Sequence, residues 1–515
     1  MCGILALIGQ SKPKDVSIIL QSGKYLKHRG PDACRTLIRS NGVFSFYRLA
    51  INDLSENGMQ PMASERGTIL LCNGEIYNHQ ALRDEYKLEC TSSSDCEVIL
   101  RLYEKIGFVE TVKRLHGVFA IVLVDGAVSY FARDRMGVRP LFFGLVENQL
   151  LVASTPHVLV KHCKGVEPFL PGMVAEHRLE NPEIIFKYLY QDQLVFPASR
   201  ITNGSYSLRG ALLQAVEMRL LSDRPIGCLL SGGLDSSLIA AILVRFLGPK
   251  NVRTYSIGMP DSTDLFYARK VAEHLGTVHH EVVFSPDEGF NVIPNVIEAL
   301  ASYDITTVRA SVGMYLLAKY IAENTTDRVI FTGEGSDELF EGYLYFHNAP
   351  SAVEAEQESL RLMRNLHLYD VLRLDRCISY WGLEPRVPFL DRNVVDVSLA
   401  LPAEEKWPNG RMEKYFVRGT FEGFLPTEIL WRKKEAFSDG VSSQEKSWYK
   451  CIQERVETKI SDEIFSEHFP SKEAMYYKLI FDKLFPTYHY NLPYWLPRWS
   501  DSRDPSARTL SVYHK

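Results

Sequence analysis

Two groups of residues in this 515-residue chain have types and spacings that could do chemistry. The first begins at Cys2. A small second residue favours removal of Met1, which would leave the thiol beside a free α-amine. Such an amine titrates near ~7.7 and can take the thiol proton at neutral pH. The nucleophile then carries its own base. Taken alone, Cys2 reads at least as well as a buried cysteine opening a strand. Other residues shift that balance. His28-Arg29-Gly30-Pro31-Asp32 is a polar, turn-forming cluster with no core role. Asn73-Gly74-Glu75-Ile76-Tyr77-Asn78 follows a strand-like run, where glycine lets the backbone approach a ligand closely. Asp95 opens a helical stretch and is equally well read as its N-cap.

The second group is Leu230-Ser231-Gly232-Gly233-Leu234-Asp235-Ser236-Ser237. It joins an apolar strand to a helix. Two glycines and three hydroxyls at a helix start form a phosphate cradle of backbone N–H groups, aided by the helix dipole. A capped helix after a tight turn is the plain alternative, and the full octet outweighs it. No G-x-x-x-x-G-K-[ST] occurs, so this is not a Walker loop. A second loop, Thr332-Gly333-Glu334-Gly335-Ser336-Asp337-Glu338-Leu339, crowds three carboxylates together. Such crowding calls for a cation or a proton. A solvated acidic helix start is the alternative.

The elements that must position these residues differ in rhythm along the chain. Residues 1–190 predict short strands at 43–47, 68–72, 120–124, 128–132 and 150–153, with a helix over 95–105. This suits an α+β sandwich of antiparallel sheets with helices. Residues 191–207 lose periodicity around Pro197, Asn203 and Gly204 and read as a linker. From 208 onward helices at 208–221, 236–247, 266–275 and 312–323 alternate with strands at 227–230, 252–257 and 328–332. That alternation predicts an α/β, doubly wound parallel sheet over 208–515. The last hundred residues read as mostly helical.

The bulk properties narrow the function classes. The net charge is -5, hydrophobic residues make up 46% and charged residues 23%, as in ordinary globular enzymes. No basic tail or stripe suggests nucleic acid. No apolar run approaches the ~18 residues that span a bilayer. The apolar start, Met1 to Gly9, lacks a basic flank and ends too soon for a secretory signal, so it reads as a strand. Nine cysteines without a C-x-x-C pair point to a reducing, cytoplasmic setting. On that reading the sequons at Asn203 and Asn324 are chance matches.

Further motifs complete a resemblance. The Met-Cys-Gly-Ile start, His28–Asp32, Arg48-Leu49-Ala50-Ile51, Asn73–Asn78 and Gly137-Val138-Arg139-Pro140-Leu141 together resemble a class II glutamine amidotransferase domain of the N-terminal-nucleophile type. The 230–237 octet resembles the PP-loop of ATP pyrophosphatases. With Tyr303–Ser311, Pro385–Asp391, Trp431–Gly440 and Asp504–Leu510, the chain from Cys2 to Leu510 is similar to the glutamine-hydrolysing asparagine synthetases.

The resemblance implies the following. Cys2 attacks the glutamine amide, and Asn73 and Gly74 form the oxyanion hole. Arg48, Leu49, Ala50, Ile51, Asn52, Glu75 and Asp95 complete the glutamine site. Leu230, Ser231, Gly232, Gly233, Asp235, Ser236, Ile257, Thr332 and Gly333 hold ATP. Asp235 and Asp337 bind Mg²⁺. Glu334 is a general base as ammonia, passed through an internal tunnel, attacks β-aspartyl-AMP. Thr306, Arg309 and Lys434 are candidates for aspartate or phosphate. The implied partners are glutamine, aspartate and ATP, with no nucleic acid, no membrane, and a homodimer as the family's assembly. Thr332 departs from a usual Ser, Thr263 from a common Pro, and the linker is short beside some relatives. A ligase using an internal amine, of the β-lactam synthetase kind, has no need of Cys2. A silent sensor on this fold has no chemical need of Cys2, Asp235 and Glu334 together.

Overall fold

The computed structural model describes all residues except 11–12, 180–184, 434, 436, 489–491, 493, 507–508 and 511–515. Two six-stranded sheets occupy the first 191 residues, and every pairing in them is antiparallel. In the first sheet Gly3–Ile8 runs between Gly42–Arg48 and Gln149–Ala153. In the second, Ile69–Ile76 pairs with Gly117–Asp125, which pairs with Val128–Arg133. Inward side chains alternate as a half-buried strand requires. Ile4, Ala6, Ile8, Phe44 and Phe46 meet Ile69, Leu71, Ala120, Val122 and Phe131 between the sheets.

A helix covers the outer face of the second sheet. Glu97–Ile106 packs Val98, Ile99 and Leu102 against Cys72, Ile76 and Ile121. On the far side, Leu5 and Leu7 pack with Val158 and Leu159. The predicted helix start at Asp95 is corrected: the helix begins at Glu97 with Cys96 as its cap residue, so Asp95 is not an N-cap. Its carboxylate instead accepts from the Ile76 amide on the neighbouring strand at 2.7 Å.

The second half is built on a five-stranded, all-parallel sheet. In spatial order the strands are Val278–Val283, Arg253–Gly258, Ile226–Leu229, Val329–Phe331 and Glu384–Arg386. Strand order reverses between the third and fourth of these. The crevice beyond their carboxyl ends is where such sheets bind ligands. The octet leaves Ile226–Leu229 and enters the helix Leu234–Leu247. The acidic loop leaves Val329–Phe331. Both therefore open onto that crevice. The first helix of this half, Gly204–Met218, starts four residues before the sequence pattern places it.

The two halves share a buried, charged seam. Arg29 pairs across it with Asp375 at 2.8 Å, both almost fully buried, and His116 of the first half stands 2.9 Å from the buried Asp391 carboxylate, which Arg219 of the second half holds at 2.6 Å. Paired charges of this kind tolerate burial because each offsets the other's desolvation.

Candidate functional sites

The first site gathers around Cys2. The Cys2 N–H donates to Asn73 Oδ1 at 3.1 Å, and the thiol faces the Leu49 carbonyl at 3.5 Å. Asn73 is buried, and its Nδ2 has no hydrogen-bond partner. A buried amide donor left open beside a thiol is what an oxyanion would need. Gly74 has no room for a side chain: a Cβ would lie 2.2 Å from the Val118 carbonyl. Arg48 donates to the carbonyls of Ser55, at 2.6 Å, and of Asp53. The Ala50 amide donates to Asp32, and the Ile51 carbonyl accepts from Asp223. Asn52 donates to Glu75 and, at 3.4 Å, to Asp95.

Electrostatics give this pocket a preference. Burial pushes both carboxyls up, Glu75 further by the charges of Glu384 and Asp95. Two acids held this way favour an ammonium group. With Met1 in place, burial pushes the Cys2 thiol up to about 11, and the Met1 amine is buried 3.3 Å from the Leu383 carbonyl.

The second site is a cavity of about 220 Å³ in the parallel-sheet crevice. Two clefts at the seam measure about 50 and 20 Å³, too small for a nucleotide. Leu230, Ser231, Gly233, Asp235, Ser236, Ile257, Thr332, Gly333, Glu334, Asp337 and Thr306 all line the cavity. Gly232 turns the loop at φ +72°, and a Cβ there would meet the Ala268 amide nitrogen at 2.4 Å. Ser236 Oγ accepts from the Ser231 amide at 3.2 Å, which tightens the loop. The hydroxyls of Thr332 and Thr306 are buried without a hydrogen-bond partner.

Asp235 and Asp337 converge on one point. Lys414 Nζ stands there, 2.6 Å from each carboxylate. Two hard carboxylate oxygens meeting at a cation position, at the mouth of a phosphate-type loop, fit a divalent ion completed by phosphate oxygens.

Other predicted residues fall elsewhere. Arg309 does not line the cavity. Its guanidinium is buried and pairs with Glu473 at 2.6 Å and Asp504 at 2.7 Å, clamping the C-terminal segment. The reading of Arg309 as an aspartate or phosphate holder is corrected on that ground. Lys434 lies outside the described residues. Sequence reasoning missed Lys414, Asp370, Arg373, Arg418, Arg432 and Lys433, all in the cavity wall. A signal existed for one pair: Asp370 and Arg373, three residues apart, are charged amid Val371, Leu372 and Leu374. Nothing in its local sequence marks Lys414.

The fold and both sites define a two-centre protein: a cysteine pocket on an antiparallel sandwich, and a phosphate-loop crevice on a parallel sheet. The glutamine amidotransferase domain family matches residues 1–192. The asparagine synthase family matches residues 207–361 and 349–501. Asparagine synthetase (glutamine-hydrolyzing) of Bos taurus is 45% identical over 559 aligned positions, covering 100% of this chain and 99% of that protein. The Homo sapiens protein of that name is 44% identical, with the same coverage. The chain belongs to the glutamine-hydrolysing asparagine synthetase family.

Proposed function

We propose that this protein makes asparagine from aspartate, with glutamine as nitrogen donor and ATP as the activating substrate. The observation that carries the reading is the coexistence, in one chain, of an open Asn73 amide donor beside Cys2 and a phosphate-type loop facing clustered carboxylates.

The proposed chemistry divides between residues 1–190 and 208–515, joined through 191–207. Loss of Met1 turns the Cys2 amide into an amine that accepts the thiol proton. The thiolate adds to the glutamine amide carbon. Asn73 Nδ2 and the Gly74 N–H receive the developing oxyanion. Arg48 holds the α-carboxylate, with Leu49, Ala50, Ile51 and Asn52 shaping the wall, and Glu75 and Asp95 hold the α-ammonium. Water then releases glutamate, and ammonia passes to the second site.

There, the loop 230–236 and Ile257, Thr332 and Gly333 orient ATP so that the aspartate side-chain carboxylate attacks the α-phosphorus. Pyrophosphate leaves and β-aspartyl-AMP forms. Asp235 and Asp337 would hold Mg²⁺, which neutralises phosphate charge. Glu334 accepts a proton as ammonia displaces AMP. Thr306 offers its unpartnered hydroxyl to aspartate or phosphate. Lys414 leaves the two carboxylates as the nucleotide binds and pairs with phosphate instead. We place the enzyme in the cytoplasm, as a homodimer. None of the described helices is long and apolar enough to cross a membrane.

The test is direct. Glutamine, aspartate, ATP and Mg²⁺ are supplied and the products identified by mass spectrometry. Asparagine, glutamate, AMP and pyrophosphate in equal amounts are expected. ADP in place of AMP, or ligand binding without turnover, refutes the reading.

A further inference from the structure

The Cys2 pocket is held in part by the other half of the chain. The loop 50–53 carries Asn52 and follows Leu49, whose carbonyl faces the Cys2 thiol. Three backbone groups of this loop are bound by Asp223 and Arg224, in the turn between the helix Gly204–Met218 and the strand Ile226–Leu229. The Asp223 amide donates to the Ile51 carbonyl at 2.9 Å, and the Asp223 carboxylate accepts from the Asp53 amide at 2.8 Å. Arg224 Nε donates to the Ala50 carbonyl at 2.9 Å. Its Nη2 reaches Asp32 at 3.3 Å, on the same oxygen that accepts from the Ala50 amide at 2.8 Å. The rigid guanidinium fork thus holds Ala50 on both sides, once directly and once through Asp32. The turn that presents these groups is itself fixed. Ser222 Oγ accepts from the Arg224 amide at 3.0 Å and donates to the Arg224 carbonyl at 2.9 Å. The Leu221 carbonyl accepts from Arg386 at 2.6 Å, and the Pro225 carbonyl accepts from the Arg328 amide at 3.1 Å.

The loop needs such a holder. Asp53 is not a glycine, yet its φ is +57°, in the left-handed region that side chains disfavour. A residue persists there only where its surroundings fix it. The Asp53 amide is tied to Asp223, its carboxylate accepts from the amides of Ser55 and Ser93, and its carbonyl accepts from the Arg48 guanidinium. Arg48 therefore takes its position from Asp53, and Asn52 beside it reaches Glu75 and Asp95. We infer that Asp223 and Arg224 are positioning residues of the glutamine site, supplied by the half that carries the nucleotide crevice. They fix the 50–53 loop, and through it the groups proposed to grip the glutamine head group. The inference rests on the proposed glutamine reaction and assigns what shapes its binding wall. Both residues act through the loop rather than on the reacting thiol, so they set affinity more than the rate of the bound complex.

The experiment separates binding from turnover. Glutamate release is measured against glutamine concentration for the full-length parent, Asp223→Ala, Asp223→Asn, Arg224→Met and Arg224→Lys. Losing a hydrogen bond made by a charged group predicts a glutamine KM raised about tenfold in Asp223→Ala and in Arg224→Met. The kcat should stay within about twofold of the parent. Asp223→Asn keeps an oxygen for the Asp53 amide and should restore a KM within about threefold of the parent. Arg224→Lys keeps the charge but not the fork, so it should fall between parent and Arg224→Met. Ammonium-dependent asparagine synthesis should be near the parent value in all four, which also reports that each is folded. The Arg224 side chain is one-third exposed and Asp223 is exposed, so neither substitution leaves a buried charge behind. If one variant does not fold, the other residue decides by the same split. A glutamine KM within twofold of the parent in both Asp223→Ala and Arg224→Met overturns the positioning role. So does a kcat that falls as far as kcat/KM, or an Asp223→Asn no better than Asp223→Ala. A parent that releases no glutamate from glutamine overturns the glutamine reaction itself, which is a different result.

Discussion

The guanidinium of Arg386 lies 3.5 Å from the Glu75 carboxylate, across the seam between the two halves. The carbonyl of the same Arg386 accepts from the Thr332 amide at 3.0 Å. Glu75 belongs to the Cys2 pocket and Thr332 to the nucleotide crevice. One residue thus touches the first site by its side chain and the second by its backbone.

That division predicts a selective defect. Arg386→Met removes a cation that lowers the Glu75 carboxyl, which burial, Glu384 and Asp95 already push upward. Glu75 moves toward its neutral form, and a neutral acid holds an ammonium group poorly. The backbone bond to Thr332 survives. The expected outcome is a glutamine KM raised about tenfold, equivalent to ~1.4 kcal/mol, with an ATP KM within about threefold of the parent. Steady-state kinetics on the folded variant check this. Equal changes in both constants would show that the side chain serves the whole seam.

Cys2→Ala should abolish glutamine-dependent synthesis and leave ammonium-dependent synthesis intact, because the nucleotide cavity contains no part of Cys2. A variant that retains Met1 should behave similarly. Its Cys2 nitrogen stays an amide and its thiol stays pushed up to about 11 by burial. Intact-mass measurement identifies the processed form, and glutamate release reports the loss.

Lys414 occupies the cation position between Asp235 and Asp337. Lys414→Met should therefore increase Mg²⁺ affinity in the absence of nucleotide, since two half-buried carboxylates then converge without a cation. Asp235→Asn should weaken Mg²⁺-ATP use and stop adenylate formation. Calorimetric titration with MgCl₂ alone separates the two. Unaltered Mg²⁺ binding in Lys414→Met would mean the carboxylates do not form the metal position.

The sequence carried these sites unevenly, and the reason is physical. The octet and the acidic loop are contiguous, because a phosphate cradle is made from one strand-to-helix turn, and both are legible as motifs. Antiparallel and parallel halves are legible because side-chain period and strand-helix alternation are local. Asp95 was misplaced by two residues: a carboxylate before a helix looks like a cap, and only the neighbouring strand reveals that it binds the Ile76 amide. Arg309 reads as a ligand beside Thr306, yet its partners Glu473 and Asp504 are more than 160 residues away. Lys414 reaches Asp235 from 179 residues away. Long-range charge pairing leaves no periodic trace.

A buried carboxyl away from both sites sets a pH dependence. Glu341 is fully buried and both its oxygens lack hydrogen-bond partners. Burial pushes it up to about 8, while the nearby Lys406 draws it down and Glu356 adds to the rise. In the unfolded chain a glutamate titrates near ~4.3. Between those values the folded state keeps a proton that the unfolded state has lost. Its contribution to stability is thus fully present below about pH 4.3 and is lost as pH rises toward 8. Glu341→Gln removes this term. Melting temperatures of parent and variant at pH 6 and pH 8.5 should show a smaller decline in the variant. An identical decline would mean the carboxyl is already ionised in the folded protein.

The last prediction concerns Thr332, which stands where the family resemblance leads one to expect Ser. Its side chain lines the nucleotide cavity, its amide is fixed by the Arg386 carbonyl, and its hydroxyl is buried without a partner. A buried hydroxyl with no acceptor or donor is unfavourable by roughly 1–3 kcal/mol until something pairs with it. Nucleotide is the natural partner, given where the hydroxyl lies. Thr332→Ser keeps that hydroxyl and removes one methyl group, so the ATP KM should change by about tenfold or less, the equivalent of ~1.4 kcal/mol. Thr332→Val keeps the shape and deletes the hydrogen bond. It relieves the unpaired hydroxyl in the free protein, so its thermal stability should equal or exceed the parent's. It also removes the contact in the complex, so its ATP KM should rise more than that of Thr332→Ser. Glutamine hydrolysis should be spared in both, because Thr332 meets the first site only through the Arg386 backbone. Stability without nucleotide and affinity for nucleotide are thus predicted to move in opposite directions in Thr332→Val. A Val variant that matches the parent in ATP KM would show that the hydroxyl never meets the nucleotide.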